Sequence, residues 1–384
     1  MPVPPRRDRL SATAGSVSST AATREKSHPP GTPHRFAARR RNNISNKPTS
    51  FDIAELAGVS QPTVSRALRG DPAVSEATRK RIEAIAHQLN YKVDKNASNL
   101  RCRHSNTLAL LLFEDPTSDE SMINPFFLSM LGSITRACAQ RGYDLLISFQ
   151  QMSTNWHVDY EDSRKADGLI LLGYGDYEAY RARIDRLVEQ GTHFVRWGSV
   201  QPGQPGVTIG CDNVEGGRVA TQHLIEAGRR RIAFLGEASS HYPEFHDRYR
   251  GYCAAHKAAG LRPTLTLQAD AITTEQSGHD AMRRLLGRGP APDAVFAASD
   301  LIAIGARHAL AEAGLSVPED VAIVGFDDIT AASLASPPLT TIAQDARSAG
   351  ALLVDTLIAQ IKGEQPQPAT LPARLVVRRS SVVQ

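Results

Sequence analysis

One stretch near the N-terminus, from Thr49 to Leu68, constrains the fold more than any other part of this 384-residue chain. Its sequence, TSFDIAELAGVSQPTVSRAL, predicts two short helices joined by a tight turn. Thr49 and Asp52 have the spacing of a capping box, in which each side chain satisfies a free N–H group at the start of a helix. Gly58 follows the first helix, where a chain commonly needs a positive φ. The predicted apolar positions of this helix are Phe51, Ile53, Ala54, Leu56 and Ala57.

The second helix begins after Ser60, a residue type that caps helices, and has Pro62 in its first turn, where a missing N–H costs little. Its apolar residues Val64, Ala67 and Leu68 would face the first helix. The residues left pointing outward are Gln61, Pro62, Thr63, Ser65 and Arg66. A short polar helix end held by a second helix suits the major groove of DNA, although plain helical bundles contain similar pairs.

A third helix is predicted from Ser75 over SEATRKRIEAIAHQLNY, and the basic, weakly apolar segment KVDKNASNLRCRHS follows it. The whole run from Thr49 to Ser105 resembles the headpiece and hinge of the LacI/GalR family of bacterial transcription regulators. The matching motifs are D-I-A-x-x-A-G-V-S-x-x-T-V-S-R-A-L, V-S-x-x-T-R-x-R-I, L-N-Y and A-x-x-L. The resemblance implies an all-α helix-turn-helix headpiece over residues 49–92 and a hinge helix or linker over residues 93–105.

Within the headpiece, Gln61, Pro62 and Arg66 match the family positions that read operator bases. An arginine can pair with guanine and a glutamine with adenine, whereas Pro62 offers only apolar contact. A phosphate contact is the alternative for Arg66. The residues expected to cap helices or to contact phosphates, which position a protein without specifying bases, are Thr49, Ser60, Thr63 and Ser65.

Within the hinge, Leu100 matches the leucine that wedges into the minor groove at the operator centre and bends the DNA. Ala97 precedes it in the same A-x-x-L motif. An ordinary linker leucine is the alternative, but an isolated apolar residue amid Asn, Arg, Cys and His has little core to join.

Charge is divided unevenly along the chain. Residues 1–105 hold 19 Lys and Arg against 8 Asp and Glu, a net charge of +11, and the remainder holds 25 against 32, a net charge of −7. Only the front of the chain is therefore expected to meet a polyanion. Residues 1–48 are rich in Pro, Ser, Thr, Ala and Arg, which predicts a disordered basic extension.

Several function classes find no support in the sequence. No apolar stretch approaches the roughly 18 residues that span a membrane, and the N-terminus lacks the apolar core of a secretion signal. The 4 cysteines form no CxxC pair, which argues against a disulfide framework and for a reducing cytoplasm. No metal-ligand spacing, phosphate loop or nucleophile elbow appears, so we expect neither an enzyme, nor a metal, nor a cofactor.

From Asn106 onward, predicted strands and helices alternate as in a doubly wound parallel sheet. By resemblance, residues 106–384 form an effector-binding and dimerisation domain with the fold of periplasmic sugar-binding proteins. Two α/β lobes are expected, joined by three crossings near residues 209–214, near residues 338–344 and before a C-terminal strand. The segment between the strands at residues 143–149 and 168–173 is short, which predicts a truncated helix there.

Candidate ligand residues lie at the ends of strands and in the family's R-x-x-G motif. Arg248, in RYRG, and Asp327, in VGFDD, are expected to meet across a bound ring from opposite lobes. Trp197 ends a strand and could stack on a pyranose face or serve as a core residue. Asp212 and Asp300 each precede a helix, so the alternative role for both is the N-cap. The remaining candidates, carried by resemblance, are Phe126, Phe326 and Gln344.

The sequence therefore predicts a cytoplasmic, sugar-responsive repressor that binds a pseudopalindromic DNA operator as a homodimer. Its effector would be a small sugar between the lobes, and a purine-type corepressor is the main alternative. A periplasmic-type sugar-binding protein is the other alternative, which the headpiece and the absent secretion signal disfavour.

Overall fold

The structure is a computed structural model that describes residues 48–91, 104–114, 123–173 and 175–382. These residues form two compact units, one within residues 48–91 and the other within residues 104–382. The predicted hinge residues Ala97 and Leu100, the basic extension and most of the loop after the first strand lie outside the described residues. Among the helices described, none is long and apolar enough to cross a membrane.

The smaller unit consists of helices α1 (Ser50–Ala57), α2 (Gln61–Leu68) and α3 (Glu76–Gln88). The predicted capping box is confirmed, since the Thr49 side chain accepts from the Asp52 N–H and the Asp52 side chain accepts from the Thr49 N–H. Gly58 has a φ of 63°, a left-handed conformation that lets the chain turn sharply into α2. The buried core residues are Ile53, Ala54, Ala57, Val64, Ala67, Val74, Ile82 and Ala86.

Two of the apolar positions predicted for α1 are wrong as core positions. Phe51 is 70% exposed and Leu56 is 62% exposed. A helix of two turns presents one stripe to its neighbours, and Ile53, Ala54 and Ala57 already fill that stripe. The headpiece therefore carries two large apolar side chains on its surface.

The larger unit contains two six-stranded sheets. The first sheet, which defines the first lobe, has the order β11-β5-β4-β3-β1-β2, and all its neighbouring strands are parallel. Its strands are β1 (Thr107–Leu112), β2 (Asp144–Phe149), β3 (Leu169–Leu172), β4 (Phe194–Trp197), β5 (Val207–Cys211) and β11 (Ala369–Leu371). The apolar run of β1 is buried on both faces, as expected for an inner strand of a parallel sheet.

The second sheet, which defines the second lobe, has the order β12-β10-β9-β8-β6-β7, and only the β10–β12 pair is antiparallel. Its strands are β6 (Ile232–Leu235), β7 (Gln268–Ala269), β8 (Ala294–Ala297), β9 (Ala322–Asp327), β10 (Thr340–Gln344) and β12 (Ala373–Val376). The two-lobed α/β fold that the resemblance implied is thus confirmed.

Helices cover the faces of both sheets. They are α4 (Pro125–Gln140), α5 (Tyr177–Glu189), α6 (Asn213–Glu226), α7 (Pro243–Ala258), α8 (Glu275–Leu286), α9 (Asp300–Glu312), α10 (Thr330–Leu334) and α11 (Ala346–Ile361). The truncated helix expected after β2 is confirmed as a short 3-10 turn, Gln150–Met152, followed by one π-helical turn, His157–Asp162. Helix α5 is not among the predicted helices, and α7 begins at Pro243, ahead of the stretch HDRYRGYCAAHKAAGL, from His246, that predicts a helix.

The chain crosses between the lobes three times. It passes from β5 into α6 at Asp212, from β10 into α11 at Asp345, and from β11 into β12 at Pro372. The crossing predicted before a C-terminal strand is therefore confirmed, since β11 in the first sheet ends at Leu371 and β12 in the second sheet begins at Ala373. Each aspartate at a crossing caps the helix that follows it.

Candidate DNA-binding surface and ligand cleft

The outward face of α2 carries two exposed side chains, Pro62 and Arg66. Gln61 is half-buried, because its Nε2 donates to the Ser50 hydroxyl at 3.2 Å. This contact ties the start of α2 to the first residue of α1. Arg66 stands one turn further along α2, where it has no ion pair among the residues that the structure describes.

The four hydroxyl side chains predicted around α2 already have partners. Thr49 donates to Asp52 at 2.8 Å, Ser60 and Thr63 share a hydrogen bond of 2.9 Å, and Ser65 accepts from Arg69 at 2.9 Å. Ser60 occupies the N-cap position of α2 but makes no side-chain bond to the backbone, so the predicted side-chain cap is wrong. The Thr63 N–H at the start of α2 donates instead to the Ser60 carbonyl at 2.9 Å.

In the second lobe, Arg248 is fully buried among polar and aromatic partners. Its Nε donates to Asn213 Oδ1 at 2.9 Å, and its Nη1 donates to the carbonyl of Ala298. Its guanidinium carbon lies 3.7 Å from the ring centroid of Phe326. Phe326 therefore supports the arginine from beneath as a cation–π partner.

Asp327 lies in the same lobe as Arg248, so the prediction that the two face each other from opposite lobes is wrong. Arg248 Nη1 is 3.7 Å from Asp327 Oδ1, and Gln344 Nε2 donates to the same oxygen at 2.6 Å. Asp327 ends β9 with a φ of 110°, which is strained for a residue with a side chain. We define Arg248, Asp327 and Gln344 as the second-lobe wall of the cleft.

The glycine of the R-x-x-G motif has a packing role. A Cβ on Gly251 would lie 2.1 Å from the carbonyl oxygen of Val214, so only glycine lets α7 approach α6 this closely. That approach brings Arg248 next to Asn213, the first residue of α6. The motif thus positions the arginine through backbone proximity.

The two aspartates predicted to precede helices have different roles. Asp212 caps α6 by accepting from the Glu215 N–H at 2.9 Å, which is the alternative role considered for it. Asp300 is not an N-cap, because Ser299 holds that position. Instead its carboxyl group accepts from the Ile329 N–H at 2.9 Å and from the Thr341 hydroxyl at 2.6 Å. Burial raises its pKa well above the usual range, and the charge of Asp327 adds to that effect.

In the first lobe, Trp197 and Phe126 lie together, with ring centroids 6.1 Å apart. Both are buried, and Trp197 lines a cavity at the ends of β3 and β4. The same cavity is lined by Arg196, whose Nε donates to the Thr208 hydroxyl at 2.7 Å and whose guanidinium lies 4.9 Å from the ring centroid of Tyr177. We define Tyr177, Arg196 and Trp197 as the first-lobe wall.

The lobes touch at two places beside this cavity. Glu244 Oε1, on α7, accepts from the Ser199 N–H at 2.9 Å, and the Ser199 hydroxyl donates to Asp247. Burial raises the pKa of Glu244, because the low-dielectric surroundings disfavour its ionised form. At the second place, His241 Nδ1 lies 3.0 Å from Asp176 Oδ1. Both contacts join the second lobe to the first.

The arrangement suits reversible binding of a polar ring. It combines aromatic faces, a cation and carboxyl groups that the two lobes contribute. Within the described ranges, no cluster of three or more His, Cys, Asp or Glu side chains could hold a metal ion.

Comparison with known proteins agrees with this architecture. The profile described as bacterial regulatory proteins, lacI family, matches residues 51–94, and that of a periplasmic binding protein-like domain matches residues 221–381. The ribose operon repressor of Escherichia coli (strain K12) is 34% identical over 316 residues, which cover 82% of this chain and 93% of that protein. The chain belongs to the lacI family of bacterial regulatory proteins.

Two solved structures of lacI-family regulators resemble the whole chain. A complex of the transcriptional regulator CelR with cellobiose is 34% identical, with a TM-score of 0.64, and covers 87% of this chain and 100% of its own. The lac repressor dimer bound to operator and the anti-inducer ONPF is 26% identical, with a TM-score of 0.75, and covers 88% and 100%. These relatives are transcription regulators rather than enzymes.

Several cleft residues of this lacI-family member escaped the sequence prediction. Glu244 and Asp247 lie in the first turns of α7. Glu244 precedes the stretch from His246 that predicts this helix, and Asp247 is near the start of that stretch. Tyr177 begins α5, which was not predicted. Arg196 did carry a signal, since it is a charged residue inside the apolar strand sequence FVRW.

Proposed function

We propose that this chain is a cytoplasmic, homodimeric repressor whose affinity for a pseudopalindromic operator is changed by a small sugar bound between its lobes. The observation that carries the DNA-binding half is the exposed pair Pro62 and Arg66 on a helix that α1 holds in place through Gln61. Rigid presentation of a short helix is what readout in the major groove requires.

Arg66 is the proposed reader of a guanine. Operators are first selected from a random duplex pool with the full-length protein. Arg66→Ala is expected to lose about 1–3 kcal/mol of operator affinity and to relax specificity at one base pair. Arg69→Ala is the matched control, because Arg69 lies at the C-cap of the same helix but bonds Ser65. A uniform loss across all operator variants with Arg66→Ala would assign that residue to a phosphate instead.

Leu100 is the proposed wedge in the minor groove. Leu100→Ala is expected to reduce operator bending in a circular-permutation gel while leaving ligand affinity unchanged, because the change is confined to the hinge. Unchanged bending would remove Leu100 from the mechanism.

The sugar-binding half rests on the cleft between the lobes. Trp197 offers an aromatic face, and charged or polar groups from both lobes line the space around it. A sugar hydroxyl both donates and accepts, so it pairs well with such groups. Ligand binding would stabilise the closed arrangement and thereby bias operator affinity.

The effector class is tested by thermal shift of the full-length protein, since a ligand that binds the folded state raises its melting temperature. A panel of sugars and purines separates the proposal from the purine alternative. Shifts with purines alone would overturn the sugar assignment while leaving the DNA-binding proposal intact.

A further inference from the structure

Arg196 occupies a position where a strand normally carries an apolar residue. Along β4, Val195 and Trp197 face one side of the sheet, where they join the larger hydrophobic core, and Phe194 faces the other, where it joins the core beneath α5. Arg196 shares the side of Phe194, because alternate residues of a strand point the same way. A guanidinium that remains charged at any physiological pH is thus only 6% exposed.

The partners of Arg196 are all electrically neutral. Its Nε donates to a threonine hydroxyl and its plane lies over a tyrosine ring. Its Nη2 is buried and has no hydrogen-bond partner among the described residues. A buried charge is normally paired, because desolvation without a partner is costly. With Nε engaged, the edge formed by Nη1 and Nη2 remains, and this edge matches the two oxygens of a carboxylate.

Glu244 is the carboxyl group that lines the same cavity, but it is not positioned as the counter-ion. It forms no ion pair with Arg196 in the described part of the chain, and its Oε1 accepts from the Ser199 N–H. Burial raises the pKa of Glu244, whereas the charges of Arg248 and Arg196 act to lower it. Arg196 is thus the one cation among the described lining residues of the cavity, and Glu244, their one carboxyl group, forms no ion pair with it.

We propose that the effector is a sugar acid, whose carboxylate pairs with Arg196 while its ring lies beside Trp197. Trp197 points to the other face of the sheet, but as the last residue of β4 it lines the same cavity at the strand end, so a ring and an acidic group of one small molecule can reach both. A carboxylate carries a single negative charge, which one arginine balances. A phosphate carries more charge and would call for additional cations. The proposal rests on the proposed function, since it names the class of ligand for the same cleft.

The first test compares matched ligands on the full-length wild-type protein. Calorimetry and thermal shift are run with D-glucuronate and D-glucose, D-galacturonate and D-galactose, D-gluconate and D-glucitol, and with D-glucose 6-phosphate. At least one acid is expected to bind, and its neutral counterpart is expected to bind at least tenfold more weakly. Neutral sugars binding as tightly as the acids, the phosphate binding most tightly, or no acid binding at all would each overturn the proposal.

The second test uses variants of Arg196. Arg196→Met is expected to weaken binding of the acid at least tenfold and to remove most of the preference for the acid over its neutral counterpart, whereas Arg196→Lys retains part of that preference because it keeps the charge. Arg183→Met is the control, since Arg183 also stacks on an aromatic ring of the first lobe, that of Trp156, but does not line this cavity. Unaltered acid binding in Arg196→Met contradicts the assignment.

Operator binding shows whether the proposed function has failed or only the sugar-acid inference. If the protein selects no operator, the proposed function fails. If it selects an operator and only a neutral sugar changes its affinity, the proposed function holds and the sugar-acid inference fails.

Discussion

The two walls of the cleft each contain a buried arginine, but they differ in the partners that surround it. In the second-lobe wall, Arg248 has a carboxylate, an amide oxygen, a carbonyl oxygen and two aromatic rings around it. In the first-lobe wall, Arg196 has a hydroxyl group and one ring, and one of its nitrogens has no partner within the described structure. One wall is electrostatically complete, whereas the other still requires an anion.

This difference indicates that the second-lobe wall has a structural role and that the first-lobe wall selects the ligand. A buried pair such as Arg248 and Asp327 fixes side chains in position, and breaking it leaves an uncompensated charge. An arginine without a counter-ion contributes little to such rigidity, but it selects strongly for the ligand that supplies the missing charge. The second-lobe wall therefore serves as the template, and the first-lobe wall as the discriminator.

The largest effect is expected from breaking the complete wall. Arg248→Met leaves Asp327 buried without its cation, so the free energy of unfolding should fall by about 3–5 kcal/mol, as measured by urea denaturation. Arg250→Met is the control on the same helix, because Arg250 is mostly exposed and its pair with Asp247 is worth less than about 1 kcal/mol. Equal losses in the two variants would mean that the buried pair of Arg248 and Asp327 stabilises the fold no more than the exposed pair of Arg250 and Asp247.

An effect of intermediate size on stability is expected from Glu244, which accepts a hydrogen bond from the other lobe. Since burial raises its pKa above the unfolded value of 4.5, its contribution to stability is full below that pH and is lost as the pH rises through the folded-state pKa. Glu244→Gln keeps an oxygen that accepts from the Ser199 N–H but cannot ionise. The variant should therefore gain stability relative to the wild type as the pH rises from 5 to 8 in urea titrations. Parallel pH profiles would show that Glu244 ionises without cost.

The smallest effect is expected at the exposed contact between His241 and Asp176. The hydrogen bond to Asp176 raises the pKa of His241, with added effects from the charges of Asp176, Glu178 and Glu237. The stabilisation is thus full below about pH 6.5 and is lost as the pH rises through the higher folded-state value. His241→Gln should flatten the slight fall in melting temperature between pH 6 and pH 9.

Two observations would check that the contact between His241 and Asp176 causes this fall in melting temperature. High salt should reduce the difference between His241→Gln and the wild type, because exposed ion pairs are screened. His308→Gln serves as the control, since His308 is exposed on α9 and has no carboxylate partner in the described structure. A pH profile of His308→Gln as flat as that of His241→Gln would rule out the contact between the lobes as the cause.

Much of the fold followed from local signals. The headpiece helices were predicted where they occur because Thr49, Gly58 and Ser75 act within one turn of the chain. The inner strands were predicted because a strand buried on both faces is a continuous apolar run, as in TLALLL. Helix α5 was missed because most of its residues are charged or exposed, and only Tyr177, Ile184 and Leu187 are buried.

The candidate site was predicted less well, because its geometry is non-local. Arg248 and Asp327 were predicted as ligand residues on opposite lobes, and the assignment to opposite lobes failed because it depends on which sheet each element joins. Asp300 was considered as the N-cap of α9, but the cap lies one residue earlier, at Ser299. Both serine and aspartate are residue types that cap helices, so the sequence alone did not separate the two positions. The burial of Arg196 could not be read from β4 alone, because α5 supplies the ring that covers it.

The three crossings between the lobes also determine the order in which the domain can be completed during synthesis. The first lobe is built from residues before Asp212 and from α11 and β11, which follow Asp345. Helix α11 packs its buried residues Leu353, Val354 and Leu357 within the core, and Gly350 lies against Ser133 of α4. The ribosome therefore delivers nearly all of the second lobe before the first lobe can close its core. A chain truncated near residue 345 would lose the last helix and the edge strand of the lobe that began first.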